Sequence, residues 1–178
     1  MSGWLNEAKA VDNAIYAAIA AGDTPSLDSA MRRLSRAADH GKLWFATAAA
    51  LALLGGPSGR LAARRGLVSL GIASGVANLL AKPLATRRRP ERQEAEELAR
   101  RHVQMPRSSS FPSGHTASAF AFATGAASAQ PILSAPLRIL AMLVGYSRVH
   151  TGVHYPADVL AGAFIGVSAA ELASRLDR

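Results

Sequence analysis

The chain has 178 residues, enough for one domain, and 49% of them are hydrophobic while only 6% are aromatic. Its 20 Lys and Arg against 12 Asp and Glu give a formal net charge of +8, which favours nucleic acid, an anionic membrane surface or a phosphorylated substrate as partner. The chain has no cysteine, so disulfides and thiolate metal sites are excluded.

Residues 1–42 predict two amphipathic helices. Apolar residues recur at helical spacing, first at Trp4, Ala8, Val11, Ile15 and Ile19, and after a GDTP break at Leu27, Met31, Leu34 and Ala38. These stripes either pack on a helical bundle or lie in the membrane interface, with Trp4 at headgroup level. The amino terminus lacks a basic region and is interrupted by Glu7 and Asp12, so no cleavable signal peptide is expected.

Five apolar runs follow, at Leu43 to Gly56, Gly66 to Ala81, Thr116 to Ala135, Leu137 to Val149, and Ala157 to Ala173. Only the third reaches the roughly 20 residues that a spanning helix needs without help from flanking residues or tilt. Charge is nearly absent inside the runs, and small residues recur in them, as helix packing in lipid favours. The sequence therefore predicts an all-α membrane bundle of about five transmembrane helices over 43–178, preceded by the amphipathic helices of 1–42; the alternative is a buried soluble bundle.

The positive charge concentrates between Lys82 and Arg107, where eight Lys and Arg stand with four Glu. No aromatic residue lies between them. Proteins that bind single-stranded nucleic acids stack the bases on aromatic side chains, so we expect no nucleic-acid partner. Lys82 and Arg89 are seven residues apart, close to two helical turns, and would share one helix face before Pro90 ends the helix.

A second motif, PSGH, joins a Pro-Ser-Gly turn to the helix expected at Thr116. The backbone N–H groups, the Ser113 hydroxyl and the positive end of the helix dipole could hold an anion there. His115 would then be placed to move a proton to or from that anion.

A third motif, SRVHTGVHYPAD, runs from Ser147 to Asp158. Because Pro156 suits the first turn of a helix, Asp158 should lie one turn from His154 and fix its tautomer, which makes His154 a plausible nucleophile. Alternatively these groups are interface polar residues, or His150 and His154 bind a metal. The metal is the weaker alternative, because the neighbouring cations would repel it. We expect His150 to be a bystander.

Together the segments give Lys-x6-Arg-Pro, Pro-Ser-Gly-His and Ser-Arg-x5-His-x3-Asp, in order between Lys82 and Asp158. This signature resembles the type 2 phosphatidic acid phosphatase superfamily, whose membrane lipid phosphatases share their site with vanadium haloperoxidases. The small size, the amphipathic amino-terminal helices and the arginine-rich first motif are most similar to the actinobacterial phosphatases that act on decaprenylphosphoryl phosphoribose in cell-wall arabinan synthesis.

The resemblance implies a site for the phosphoryl group. Lys82, Arg89 and Arg148 would neutralise its oxygens, and Ser113 with the Gly114 backbone N–H would add hydrogen bonds. No metal or other cofactor is implied, since the cations hold the charge that spreads over the equatorial oxygens.

The resemblance also implies the catalytic roles. His154, oriented by Asp158, would attack phosphorus and form a phosphohistidine, while His115 protonates the departing alkoxide; water would then hydrolyse the intermediate. Arg87 and Arg88 fall outside the signature, and would bind either a second phosphate of the substrate or lipid headgroups.

Three other assignments remain open at this point. A haloperoxidase would use the same residues, but those proteins are soluble and larger. A basic membrane-surface or nucleic-acid-binding protein would explain the charge but not the histidine motifs. Within the phosphatases, the substrate could instead be a polyprenyl pyrophosphate, phosphatidic acid or phosphatidylglycerophosphate.

We expect a multi-pass protein of the plasma membrane with a polyprenyl-phosphate substrate. If all five runs span, all three motifs and the amino-terminal helices fall on one side of the membrane, and the opposite side carries Arg60, Arg64, Arg65, Arg138 and the carboxyl terminus. The positive-inside rule compares the numbers of Lys and Arg on the two sides of the membrane. It does not orient this arrangement, because the arginines expected to bind phosphate add to the number on the side of the site.

Overall fold

A computed structural model describes residues 3–92 and 100–177. Residues 93–99, part of the basic segment, lie outside the described residues. The described chain forms helices α1 (Gly3–Ala21), α2 (Pro25–Ala37), α3 (Lys42–Leu54), α4 (Gly56–Gly75), α5 (Gly114–Ala129), α6 (Ser134–His150) and α7 (Pro156–Leu176). Helix α4 continues through a π-helical turn, Val76–Ala81, and one last turn, Lys82–Leu84; we call this continuation the α4 extension. Single 3₁₀ turns lie at Asp39–Gly41 and Pro131–Leu133.

Three helical segments of the described chain are long and apolar enough to cross a membrane, by length and composition: Gly56–Leu84, Pro131–His150 and Pro156–Leu176. The all-α membrane bundle expected from the sequence is confirmed. The length expected for the run from Thr116 to Ala135 is wrong, because its helix ends at Ala129. Gln130 precedes Pro131, and proline disfavours the helical conformation in the residue before it.

Helix α5 forms the centre of the bundle, in contact with α4, α6 and α7. Small residues allow these helices to approach closely. A Cβ added at Gly125 would lie 2.6 Å from the Arg65 carbonyl oxygen of α4, and one added at Gly166 would lie 2.4 Å from the Ala117 carbonyl oxygen. Both contacts are too short for a side chain, so these glycines set the spacing of α4 and α7 against α5.

The amino-terminal helices pack on the bundle through polar side chains. Asp12 of α1, and Asp28 and Ser35 of α2, are buried where the helices contact the bundle. The apolar stripe of α1 is exposed, with Trp4 at 65% and Val11 at 59%, whereas Met31 and Ala38 of the second stripe are buried. The second stripe thus packs on the bundle, and the first leaves apolar surface free for the membrane interface.

An ion-pair cluster lies at the end of the bundle far from the sequence motifs. Arg64 Nη2 and Arg65 Nε of α4 lie 2.8 and 3.0 Å from the carboxylate of Asp177, just after α7. The carboxyl-terminal end therefore lies beside these arginines, as the expected topology requires.

Candidate active site

The three motif segments meet at one end of the bundle. Arg89 Nη1 donates a 2.7 Å hydrogen bond to the Val153 carbonyl and lies 3.4 Å from Nε2 of His154. The backbone N–H of Ser113 donates to the Asp158 carbonyl oxygen at 2.9 Å. The first motif is thereby joined to the third, and the third to the second.

Hydrogen bonds to backbone carbonyl oxygens hold the Arg89 side chain in place. Its Nε donates to the Ser108 carbonyl oxygen at 3.0 Å, and its Nη2 donates to the Ser109 carbonyl oxygen at 3.1 Å. Since a guanidinium has five donors in a rigid fork, these carbonyl bonds set its plane while one edge still faces His154. A cation is therefore held beside the imidazole.

His154 is almost fully buried, in the loop between α6 and α7. Burial, reinforced by the charges of Arg89 and Arg148, lowers the pKa of His154 to about 4. The ring is thus neutral at pH 7, with a lone pair on one nitrogen. Its Nδ1 lies 3.5 Å from Oδ2 of Asp158, which is longer than a normal hydrogen bond.

Asp158 is completely buried at the start of α7 and accepts several hydrogen bonds. Its Oδ1 accepts from Arg87 Nη1 at 2.9 Å, and its Oδ2 accepts from the backbone N–H of Tyr155 at 2.9 Å and from the Ser110 hydroxyl. The Tyr155 bond also caps the helix, so the fold that starts α7 fixes the carboxylate opposite His154.

Arg87 is engaged differently from either expectation. It bridges Asp158 and the buried carboxylate of Asp12 on α1, and its guanidinium stacks 4.2 Å from the ring centre of Tyr155. These contacts place Arg87 beside the carboxylate of Asp158, which it holds in position. Arg88, by contrast, has an exposed side chain.

The amino terminus of α5 presents the second motif. The Ser113 hydroxyl is buried and caps the helix by accepting from the Thr116 backbone N–H at 3.4 Å; it also accepts from the Thr116 hydroxyl at 2.9 Å. A Cβ added at Gly114 would lie 3.2 Å from Asn78 Oδ1 and 3.4 Å from Lys82 Nζ. Glycine therefore keeps open the space between the first turn of α5 and the α4 extension.

His115 and Arg148 share one carboxylate, that of Asp39. The His115 Nε2 lies 2.9 Å from Asp39 Oδ1, and Arg148 Nη1 lies 3.5 Å from the same oxygen. The hydrogen bond to His115 is the largest cause that lowers the pKa of Asp39, which is thus ionised at pH 7. The buried Arg148 also donates to the hydroxyl of Ser35.

Lys82 stands on the α4 extension. Its Nζ donates a 2.7 Å hydrogen bond to Oδ1 of Asn78, one turn earlier. Asn78 belongs to the π-helical turn, a distortion that often occurs at functional sites.

His150 lies apart from these groups. Its Nε2 lies 2.7 Å from Oδ1 of the buried Asp28, and the Arg101 Nε lies 3.4 Å from the same oxygen. These contacts join α2 to the carboxyl-terminal end of α6 and agree with a structural role.

Sequence reasoning found the cations and histidines but missed the acidic and polar residues that hold them, namely Asp12, Asp28, Ser35, Asp39, Asn78 and Ser110. One signal was available for three of them. Asp28, Ser35 and Asp39 are spaced by seven and four residues, which puts polar groups on one face of a helix.

Within residues 3–92 and 100–177, no group of three or more His, Asp or Glu side chains is arranged to hold a metal ion. The polar groups that converge are instead cations and imidazoles, which suit a bound phosphoryl group. Of the site residues named from the sequence, Arg89 lies beside His154, and His115 and Arg148 both lie beside Asp39. Lys82 lies near Gly114, whereas Arg87 is held by Asp158.

A profile of the PAP2 superfamily matches residues 62–177. The decaprenylphosphoryl-5-phosphoribose phosphatase of Mycolicibacterium smegmatis is 33% identical over 149 residues, which cover 84% of this chain and 77% of that protein. The undecaprenyl-diphosphatase BcrC of Bacillus subtilis is 35% identical over 68 residues, which cover 37% of this chain and only 35% of that protein. Among solved structures, the transmembrane PAP2-type phosphatidylglycerolphosphate phosphatase from Bacillus subtilis superposes with a TM-score of 0.72 at 25% identity, over 97% of this chain and 87% of that one.

Proposed function

Because the chain belongs to the PAP2 superfamily, we propose that it removes the phosphomonoester of a polyprenyl-linked substrate through a phosphohistidine intermediate. Phosphatases of this superfamily hydrolyse phosphate monoesters without requiring a metal, and this chain is a hydrolase of that kind. It is embedded in the membrane through apolar helices of spanning length. The plasma membrane is the location we propose.

The observation that carries the mechanism is the buried, neutral imidazole of His154 beside the guanidinium of Arg89, 3.4 Å away. A nucleophile needs a free lone pair, and a phosphoryl group needs cations around its equatorial oxygens. The position between His154 Nε2 and the Arg89 guanidinium offers both the lone pair and a cation. Arg148 and Lys82 would add positive charge from the other sides.

In the first step, the lone pair on His154 Nε2 attacks phosphorus while the bond from phosphorus to the leaving oxygen breaks. The imidazolium that forms is stabilised by the carboxylate of Asp158, which faces Nδ1. The His115 imidazolium donates its proton to the leaving oxygen, so that a neutral alcohol departs.

In the second step, water attacks the phosphohistidine. The neutral His115 accepts a proton from that water, the phosphorus–nitrogen bond breaks, and its electron pair returns to His154. Inorganic phosphate leaves, and both histidines regain their starting states.

The substrate we propose is decaprenylphosphoryl phosphoribose, a precursor of cell-wall arabinan. The relative named for that substrate aligns over 84% of this chain. Exposed leucines flank Lys82 on the α4 extension: Leu79, Leu80 and Leu84. A phosphate bound by Lys82 would therefore lie where an apolar surface begins. A prenyl chain could lie along that surface and contribute about 0.8 kcal/mol per buried CH₂.

The test compares two substrates with the full-length protein in one detergent system, by phosphate release. We expect kcat/KM to be far higher for the polyprenyl-linked phosphoribose phosphate than for ribose 5-phosphate. The His154→Ala variant gives the background rate. Equal efficiencies for the two substrates would contradict the lipid-linked assignment while leaving the phosphatase assignment in place.

A polyprenyl diphosphate is the second candidate, since the relative BcrC is named an undecaprenyl-diphosphatase. The same assay separates the two, because a diphosphatase would cleave undecaprenyl diphosphate with a higher kcat/KM than the sugar-linked monoester.

A further inference from the structure

A cavity of about 320 Å³ opens beside His115, between the α2–α3 turn, α4 and α5. Its wall includes the second-motif residues Gly114 and His115, and Lys82 from the first motif. Arg89, Arg148 and His154 do not line it. The cavity therefore adjoins the expected acid and excludes the expected nucleophile.

Phosphoryl transfer places the attacking and leaving groups on opposite sides of phosphorus, roughly in line. A phosphoryl group attacked from the His154 side must release its alcohol on the side of His115, which protonates it. The space next to His115 is therefore where the alcohol part of the substrate has to lie.

We propose that this cavity binds the leaving group of the substrate, and that it takes a polyhydroxylated group of monosaccharide size through which the lipid chain is attached. This inference rests on the proposed function and adds to it which surface recognises the sugar.

The lining chemistry supports a sugar over a bare lipid chain. Neutral hydrogen-bonding side chains face the space from two helices, Ser74 and Asn78 on α4 and its extension and Ser118 on α5. Asn78 Nδ2 donates to the Ser74 carbonyl oxygen at 2.9 Å, which fixes the amide in place. Sites that specify hydroxyl groups combine a few such fixed polar groups with apolar surface.

The remaining wall is apolar and leads outward. Leu70 is buried at the cavity, whereas Phe45 of α3 is 53% exposed. A lipid chain attached to the sugar can pass over Phe45 into the bilayer without crossing the phosphate site.

The test fills the cavity with Ser118→Leu and, separately, Ser74→Leu. The control is Ser58→Leu, an exposed serine at the opposite end of α4. For each full-length protein, kcat/KM is measured for a prenylphosphoryl ribose phosphate and for acetyl phosphate, whose leaving group is small. We expect the ratio of the two values to fall about tenfold or more in the filled variants and to keep its wild-type value in Ser58→Leu.

An unchanged ratio in both filled variants would overturn the inference, even though the wild type cleaves the sugar-linked substrate. Failure of the proposed function gives a different result, in which the wild type cleaves acetyl phosphate and prenyl diphosphate but not the sugar-linked monoester. That result would also overturn the assignment of a sugar to the cavity. Residual acetyl phosphate cleavage by the filled variants shows that they are folded.

Discussion

Replacing Asp39 by Asn removes the carboxylate that joins the expected general acid to a phosphate-binding arginine. Asp39 Oδ1 lies 2.9 Å from His115 Nε2 and 3.5 Å from Arg148 Nη1. Burial lowers the pKa of His115, and the hydrogen bond with Asp39 opposes that shift by favouring the protonated imidazole. Without this hydrogen bond the pKa of His115 falls further, so a smaller fraction of the imidazole carries a proton at neutral pH.

The size of the effect follows from the exposure of the pair. Hydrogen bonds to charged groups contribute about 1.5 to 3 kcal/mol when buried. The Asp39 side chain is 35% exposed, so solvent screening reduces this to about 1.4 kcal/mol, a factor of about ten. We expect kcat to fall about tenfold for an alkyl phosphate, and less for p-nitrophenyl phosphate, whose leaving group needs little protonation.

The assay measures kcat and KM against pH for both substrates. The alkaline limb of the kcat profile should move to lower pH by about one unit, because the acid loses its proton earlier. KM should not rise, since Arg148 loses a competing carboxylate. Asp23→Asn, an exposed aspartate in the α1–α2 loop, is the matched control. Equal losses for both substrates with an unchanged pH profile would show that Asp39 has only a structural role.

Three further predictions concern the rest of the site. Activity should survive EDTA and be inhibited by vanadate, which mimics the pentacoordinate phosphoryl group; loss in EDTA with recovery on adding a divalent metal would contradict this. In the substrate-free protein, an NMR titration should place the pKa of His154 near 4. Since the unfolded chain takes that proton near 6.5, stability should fall as pH drops from about 6.5 to 4, and a titration near 6.5 in the folded protein would contradict the burial argument. Arg87→Gln should leave the carboxylates of Asp12 and Asp158 unpaired, so thermal stability should fall, and kcat should fall for acetyl phosphate as well as for lipid substrates; a loss confined to lipid substrates would favour headgroup binding.

The cations and histidines of the site could be predicted from the sequence because their spacing is local. Seven residues separate Lys82 from Arg89, and four separate His154 from Asp158, so each pair is visible as a short motif in the sequence. The shared helix face expected for Lys82 and Arg89 is wrong, because the helix ends at Leu84 and Arg89 lies in the non-helical segment that follows. His154 also lies outside a helix, in the loop before α7. The partners of these groups are remote along the chain. Asp12 reaches Arg87 across 75 residues, a distance over which hydropathy and spacing carry no signal.

The amino-terminal helices illustrate the same limit. Their apolar stripes predicted two helices, and both are present. In the sequence, Asp12 argued only against a signal peptide and Asp28 had no assigned role, whereas the fold buries both where the helices meet the bundle. The helices are thus supports of the site as well as candidates for the membrane interface.

The measurement that tests the central claim most directly is the capture of the covalent intermediate. The His115→Ala variant should form the phosphohistidine from an aryl phosphate, which needs no acid, and hydrolyse it slowly because no base activates water. Rapid quenching followed by peptide mass spectrometry is expected to find one phosphoryl group on His154. A phosphoryl group on another residue, or turnover without any phosphorylated protein in this variant, would contradict the mechanism.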